Sequence, residues 1–481
     1  VAYIRLQKID KAILTFHNLL IINPNYIPAY FNLGLAYINK NQFDKSLEMF
    51  EEAHKIDPKD IEIIYQIALL LLNNKRVIVS IPFFEKMLED NPKEIRALTG
   101  IGEAYRKLGN YQKALSYLEK VQDLDPFSEN VLESLFFIYR EFCQWDKLES
   151  ICQKLENKKT QCESPYVNIV RTNNKSQNLM VAKYWSQVFE NKAKMQNLNF
   201  HFNKNKNHQK IRLGYLSSDY RNHPVGIQVV DLFKLHDRKK FEVFTYSYGA
   251  NDNSIYRKTV EKYSDYFFDG YEKDHKEIAK KINSDEIDIL IDLGGYTGME
   301  VLDITSYKPS PIQINYFGFS GTTGANYIDY VIADKIIIPE EDKKYYGEKI
   351  IYMPNCYQVA SKNEKISSNY SRSDFDLPEN AIVFASFNKP YKIEKFMFDC
   401  WIAILKKVPN SVLWQIAKNK SAKDNLTSYF IRSGLDPKRL IFTENIPPEK
   451  HLDRLKLADI ALDTQIYGGG VTTLNLLWAG I

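Results

Sequence analysis

PNYIPAYFNLGLAYINKNQFDKSLEMFEEAHKID, residues 24–57, is followed by PKDIEIIYQIALLLLNNKRVIVSIPFFEKMLEDN, residues 58–91, and the two align at a step of 34 without slippage. The same step carries Pro24 to Pro58, Pro92 and Pro126, and Phe16 to Phe50, Phe84 and Leu118. Tyr3, Tyr37, Leu71 and Tyr105 keep it, as do the small residues Ala12, Ser46, Ser80 and Ala114. Gly34, Ala68 and Gly102 fall where two helices must cross closely. Several registers that agree independently predict a helix-turn-helix unit ended by a proline. Such units bury their apolar faces only by stacking, and the stack curves into a concave groove.

This is the tetratricopeptide pattern, and residues 1–157 are assigned to it. A fifth, degenerate unit from Asn130 to about Asn157 lacks the terminal proline and carries Cys143 and Trp145 instead. A superhelix of this kind is expected to bind protein or peptide in its groove, the alternative being a purely structural or oligomerising arm.

At 481 residues the chain exceeds one comfortable core, so two or three domains are expected. A formal net charge of +4, with no Lys/Arg block, argues against nucleic acid as a partner. Cys143, Cys152, Cys162, Cys356 and Cys400 form neither a CxxC pair nor a metal-type cluster, which fits a reduced, cytoplasmic setting. No apolar run approaches the roughly 18 residues that span a bilayer, so no membrane partner is expected. The chain starts inside a repeat and stops directly after a helix-like run. It therefore reads as truncated at both ends, with room for an upstream targeting segment.

After a junction at 158–210, with one helix around Val181–Lys194 and a loop at Asn203–Lys210, the periodicity changes. Ile211–Leu216, Phe241–Tyr246, Ile287–Leu293 and Pro311–Phe317 read as strands, with a helix at Lys273–Asn283. A polar linker at 361–380 precedes a second set, Ala381–Phe387, Ser411–Ile416, Arg439–Thr443 and Asp459–Asp463. Helices around Ile393–Lys407, Lys423–Ser433 and Pro448–Leu457 separate these strands. The alternation predicts two doubly wound α/β lobes, 211–360 and 381–481, facing a cleft beyond the carboxyl ends of their strands.

The loops decide which chemistry fits. Ser217–Pro224 after the first strand is not GxGxxG, and Gly318–Gly324 is followed by no Lys-Ser/Thr, so neither usual nucleotide signature is present. Tyr467-Gly468-Gly469-Gly470-Val471-Thr472-Thr473 follows a strand and opens a helix. Glycines admit close approach of the backbone, and a helix N-terminus favours anions, so a diphosphate suits this loop as well as a bare turn does. Lys392 ends Phe387-Asn388-Lys389-Pro390-Tyr391-Lys392 and is expected to begin the next helix, placed to offset charge on such a leaving group. His451 and Arg454 lie in the same lobe. His223, at the mouth of the first strand of the other lobe, suits a base or an acceptor-orienting group, or simply a loop-fixing one. Asp292 is expected to point toward the cleft and Asp285 to cap the far end of its strand, solvated. Asp374-Phe375-Asp376 resembles a metal-type DxD but falls in the linker, and no metal is expected.

Taken in order, the repeats, LGYLSSDYRNHP, IDILIDLGGYT, PIQINYFGFSGTTG, IDYVIAD, FNKPYKI, VPNSVLW and LADIALDT resemble the protein O-GlcNAc transferases of glycosyltransferase family 41. The resemblance implies a two-lobed GT-B fold, its donor lobe incomplete here, and inverting, metal-independent transfer from UDP-GlcNAc to Ser/Thr hydroxyls of proteins. It implies His223 as base or acceptor-site residue and Lys392 as the lysine that meets the donor diphosphate. It also implies His451 and Arg454 as donor-site residues, the backbone of Ile446, Pro447 and Pro448 beside the base, and Thr472 at the phosphates. Gly469, Gly470, Val471, Thr473 and Asn475 complete the donor loop, with Gly470-Val471-Thr472 and Asn475 where animal members have His-Thr-Thr and an aspartate. Lys389 replaces a glutamine. This loop is closer to bacterial members and to the plant Spindly-type branch, which uses GDP-fucose. O-fucosylation and a non-catalytic repeat scaffold therefore stand as alternatives. A glycosidase fits less well, since no carboxylate pair stands out. The family's asparagine ladder is broken, Asn32 being followed by Gln66, Gly100 and Ser134.

Overall fold

The computed structural model describes residues 9–40, 42–74, 76–156, 163–196, 198–202, 208–297, 301–360 and 370–481. Tyr3, Cys162, most of the loop expected from Asn203 and the first half of the expected linker lie outside the described residues. The chain divides into two compact units, Val1–Ile138 and Tyr139–Ile481.

In the first unit paired helices follow the period. Ile27–Asn39 is followed by Phe43–Ile56, Ile61–Asn73 by Val77–Asp90, and Ile95–Lys107 by Tyr111–Leu124. Asp60 caps one helix by accepting from the backbone N–H of Glu62 and Ile63, and Asn110 caps another through Lys113. The repeated aromatic is the keystone of each layer. Phe50 and Phe84 are fully buried, and a methyl group on Gly34 would lie 2.6 Å from the Phe50 ring. Gly100, where the ladder would place an asparagine, gives its space to Phe84, 2.3 Å from the position of a Cβ. The small residue at the crossing also carries a polar tie: Ser46 Oγ donates to the Gly34 carbonyl at 2.8 Å.

The second unit opens with the helix Trp145–Glu156, then Pro165–Arg171 and Lys175–Met195. The last is longer than the sequence pattern predicts, because the Asn174 side chain caps it by accepting from Gln177 N–H. A parallel sheet follows, built from β1 (Ile211–Ser217), β2 (Phe241–Ser247), β3 (Tyr266–Asp269), β4 (Ile289–Asp292), β5 (Ile312–Asn315), β6 (Tyr330–Ala333) and β7 (Lys349–Tyr352). Its order is β3-β2-β1-β4-β5-β6-β7. The four-residue strands β3, β6 and β7 were not among the expected ones; too short for a full alternation, they are fixed by pairing, as in Phe244 with Tyr266. The second sheet, β8 (Ile382–Ser386), β9 (Ser411–Ile416), β10 (Leu440–Thr443) and β11 (Ile460–Ala461), runs β10-β9-β8-β11 and is also parallel.

Each sheet reverses its winding once. In the first, β1 lies between β2 and β4; in the second, β8 lies between β9 and β11. Crevices form at such points, beyond the carboxyl ends of the strands. The loops there are Ser218–His223 and Leu293–Thr297 in one lobe, and Phe387–Lys392 and Leu462–Gly470 in the other. Asp285 and Asp292, at the two ends of the β4 stretch, differ from expectation. Asp292 is buried, its carboxylate accepting from Gly294 N–H at 2.8 Å, so it shapes the Gly-Gly-Tyr turn. Burial pushes its carboxyl up to about 6, against those amide contacts. Asp285 is bound by Tyr246 Oη at 2.7 Å and Lys281 Nζ at 2.5 Å. The Asp374 carboxylate of the DFD stretch accepts from Ser371 N–H at 2.7 Å, closing a capping box.

Replacing Phe84 by Ala empties the layer over Gly100 and is expected to cost about 3–5 kcal/mol. Urea denaturation of the full chain, followed by helical circular dichroism, measures it; a loss below about 1 kcal/mol would contradict the keystone role of this ring.

Candidate functional site

The crevices of the two lobes open on one cavity of about 760 Å³. His223, Lys389, Lys392, Gly469, Gly470, Val471 and Thr472 line it, together with Gly318, Ser320, Gly321 and Thr322 of the glycine-rich loop after β5. That loop carries no phosphate-loop signature, yet it forms a wall because Glu348 holds it. The buried Glu348 carboxylate accepts from Thr322 Oγ1 at 2.6 Å and Thr323 N–H at 2.6 Å.

Lys392 does not begin the following helix. Pro390 presets a 3₁₀ turn, Pro390–Lys392, and the helix starts only at Lys395. From this turn the Lys392 ammonium donates to the Gly468 carbonyl at 2.9 Å and lies 4.7 Å from the Tyr467 ring centroid. Burial lowers its affinity for a proton to a pKa of about 8; Asp463 opposes the shift and Lys389 adds to it.

The glycine loop is organised from beneath by Asp463. Its Oδ1 accepts from Gly469 N–H at 2.8 Å, Thr464 N–H at 2.8 Å and Asn388 Nδ2 at 2.7 Å, while Oδ2 accepts from Thr473 Oγ1 at 2.7 Å. A side chain at 469 is excluded, because its Cβ would meet Thr473 Oγ1 at 2.2 Å. Gly470 has φ 57° and ψ −113°, a conformation open essentially to glycine alone, and caps the helix Val471–Ala479. The helix N-terminus thus faces the cavity with Val471 and Thr472 in its first turn. Thr473 is turned away and braces the loop.

His223 caps the helix Pro224–Val229 from the other lobe. Its Nδ1 lies 3.4 Å from Val225 N and 3.6 Å from Asp219 Oδ2. These two neighbours favour opposite tautomers. A proton on Nδ1 points at Asp219 and leaves Nε2 as a base; a lone pair on Nδ1 accepts from Val225 and makes Nε2 a donor. Burial lowers the pKa of the ring, Asp219 resists, and Arg221 and Lys389 reinforce the shift toward the neutral imidazole.

Other expected residues gather elsewhere. Arg454 is buried, with Nη1 donating to the Glu444 carbonyl at 2.6 Å, Nε to His451 Nδ1 at 3.0 Å, and its guanidinium 4.9 Å from the Phe387 ring centroid. His451 is pushed down to about 3 by burial and by this arginine. The pair lies beside the segment Glu444–Pro447, with Ile446 half-buried, Pro447 exposed and Pro448 opening the next helix; His451, Arg454, Ile446 and Pro447 are not among the residues that line the cavity shared by Lys392 and His223. Asn475 lines a separate small cavity with Gln228 and Trp478. Conversely, Asp463, Tyr467, Tyr166 and Glu394 belong to the site without having been singled out in the sequence. Tyr166 Oη lies 3.0 Å from Tyr391 Oη and its ring packs edge-on to Tyr467. Only the LADIALDT context of Asp463 was visible beforehand.

Comparison with known proteins follows this geometry. Residues 146–369 and 361–481 match glycosyl transferase family 41, and 27–60 and 95–128 match the tetratricopeptide repeat. The chain is 39% identical over 279 residues to an Arabidopsis thaliana protein named probable UDP-N-acetylglucosamine–peptide N-acetylglucosaminyltransferase SEC, covering 57% of this chain and 29% of that one. It is 30% identical over 280 residues to the similarly named SPINDLY protein of the same plant, covering 56% of this chain and 30% of that one. The chain therefore spans about a third or less of the length of these relatives. A solved O-GlcNAc transferase mutant from Thermobaculum terrenum shares the fold with a TM-score of 0.60 at 21% identity, over 95% of this chain and 81% of that one.

The depressed lysine has a testable consequence. A diphosphate at this site would bind the protonated ammonium, and protonation is lost as pH rises through about 8. Affinity for a nucleoside diphosphate is therefore expected to be level below pH 8 and to fall by about tenfold per unit above it. Calorimetric titration across this range measures it, and Lys392→Ala is expected to flatten the profile.

Proposed function

The chain belongs to glycosyl transferase family 41, and from that premise we propose that it transfers N-acetylglucosamine from UDP-GlcNAc to serine or threonine hydroxyls of proteins with inversion. The observation that carries the reading is that Lys392 and the glycine loop of one lobe share a cavity with His223 of the other. In the proposed step the acceptor oxygen attacks the anomeric carbon from the His223 side. The bond from that carbon to the diphosphate oxygen breaks, and its electron pair leaves with the diphosphate. Lys392 and the N-terminus of Val471–Ala479 meet that growing charge, help of the kind worth roughly 10²–10³ in rate per donor. The hydroxyl proton passes to His223 Nε2 in the tautomer that Asp219 favours.

No metal is invoked in this step, since cationic and dipolar groups of the chain face the leaving group. UDP-GlcNAc is supported by the names of the relatives in both branches. The glycine loop, with Gly470 where animal members have histidine, keeps GDP-fucose as the second reading. The repeat unit is proposed to hold the polypeptide acceptor, and a cytoplasmic setting follows from that substrate and from thiols without a disulfide framework. No helix among the described residues is long and apolar enough to cross a membrane.

Titrating UDP and GDP into the chain separates the two donors: tighter UDP binding supports GlcNAc transfer, tighter GDP binding moves the assignment to fucose, and binding of neither favours a scaffold. Lys392→Ala is expected to lower turnover by about 10²–10³ with unchanged melting; near-normal turnover would sink the role given to it. Asp219→Asn, which removes the negative charge facing His223 Nδ1, is expected to lower kcat by about tenfold or more with donor KM unchanged.

A further inference from the structure

The turn that carries Lys392 is held from outside its own lobe. Four consecutive carbonyls, those of Pro390, Tyr391, Lys392 and Ile393, all face donors from one short hairpin, residues 140–145. Arg140 Nε donates to Tyr391 O at 2.7 Å and its Nη2 lies 3.5 Å from Lys392 O. Cys143 Sγ lies 3.7 Å from Pro390 O, and Trp145 Nε1 donates to Ile393 O at 3.2 Å. A 3₁₀ turn that stops after one cycle leaves its last carbonyls without helical partners, so external donors fix both its position and its tilt.

The hairpin is itself rigidly built. Cys143 sits at φ 53°, a left-handed conformation uncommon outside glycine. Asn425 Nδ2 donates to the Phe142 carbonyl at 2.9 Å, and the Trp145 ring packs against Phe398 and Tyr429 at 5.4 and 5.1 Å between centroids. Arg140 is buried, and burying a guanidinium is costly unless its donors are met by acceptors. Here its acceptors include backbone oxygens of the lysine turn. The Glu394 carboxylate lies 3.9 Å away. Glu394 in turn accepts from Ile466 N–H at 2.9 Å, at the start of the glycine loop. Arg140 and Glu394 therefore link the two pieces that must meet a diphosphate: the turn carrying Lys392 and the loop carrying Gly468 and Gly469.

We propose that Arg140, Trp145 and Glu394 are positioning residues of the donor site, which set the Lys392 ammonium against the glycine loop. The nucleotide half of its test rests on the transferase reading; the lysine half does not. None of the three touches the leaving group, and each acts through Lys392. Displacing a charged group by about 1 Å from its target costs on the order of 10²-fold in rate, so the turn's placement bears on catalysis as well as on folding.

The experiment uses the full chain and the variants Arg140→Met, Trp145→Phe and Glu394→Gln. Lysines are reductively methylated with ¹³C, and the Lys392 resonance, assigned by its absence in Lys392→Arg, is followed against pH. UDP affinity is measured in parallel. The wild-type resonance is expected to titrate near pH 8, and in the variants to move up toward the ordinary lysine range as the ammonium leaves the loop. UDP binding is expected to weaken by about tenfold or more, and by nothing further in a Lys392→Ala background. If the Lys392 titration is unchanged in Trp145→Phe and Glu394→Gln, the proposal is overturned, whatever the nucleotide does. If the titration moves but the wild type binds no UDP, the positioning holds and the assignment of the donor fails instead. Should Arg140→Met not fold, the other two variants decide the matter alone.

Discussion

An ammonium group held against backbone carbonyls, with one carboxylate beneath it, is the constraint on which the donor lobe of this protein is built. Lys392 gives up part of its hydration to reach the Gly468 carbonyl, and its lowered proton affinity records that loss. Asp463 limits the loss, but it is already engaged by four donors of its own loop and of Asn388. The carboxylate thus acts mainly as an organiser of amides. By gathering the N–H of Gly469 and the hydroxyl of Thr473 below the loop, it leaves the first turn of Val471–Ala479 facing the cavity. Positive charge and helix dipole then act on the same volume, which is what an anionic leaving group requires.

The opposing lobe meets this arrangement with a neutral group. His223 stays uncharged because burial and nearby cations, Lys389 among them, disfavour the imidazolium. Lys389 is where that electrostatic design joins the two sides. It lowers the proton affinity of both Lys392 and His223. An incoming diphosphate neutralises part of that field. Proton affinity at both sites then rises, which retains the ammonium and makes the imidazole a better base once donor is in place.

Much of this architecture was legible in the sequence, for identifiable reasons. The repeats announced themselves because a 34-residue period is a local property, written in Phe50, Phe84 and the small residues they face. Strands β1, β2, β8 and β9 were found near their true ends because long apolar runs mark buried parallel strands. His223, Lys392 and the glycine loop were identified from motif chemistry, and all three line one cavity. What stayed hidden depends on partners distant in the chain. Arg140 and Trp145 meet residues about 250 positions away, and nothing in a degenerate repeat indicates that. Arg454 and His451 were reached through the family resemblance, and the fold packs that arginine between the Glu444 carbonyl and the Phe387 ring. Asp292 likewise had the right strand end, yet two glycine amides turned it inward.

The repeat unit raises a separate question of recognition. A ladder of asparagine amides reads a peptide backbone only if those amides are free to bond outward. Here Asn32 donates to its own helix at the Pro28 carbonyl, 2.6 Å away, and Gln66 to Glu62 at 3.1 Å. Ser134 is buried and bonded to Glu103. Gly100 has no side chain to offer, and Phe84 occupies the space where one would begin. Two of the four positions thus bond within their own helices, and the other two serve the packing between helices. What the same helices do present is charge, with Arg96 between Glu62 and Glu94 and lying over the Tyr65 ring at 4.7 Å.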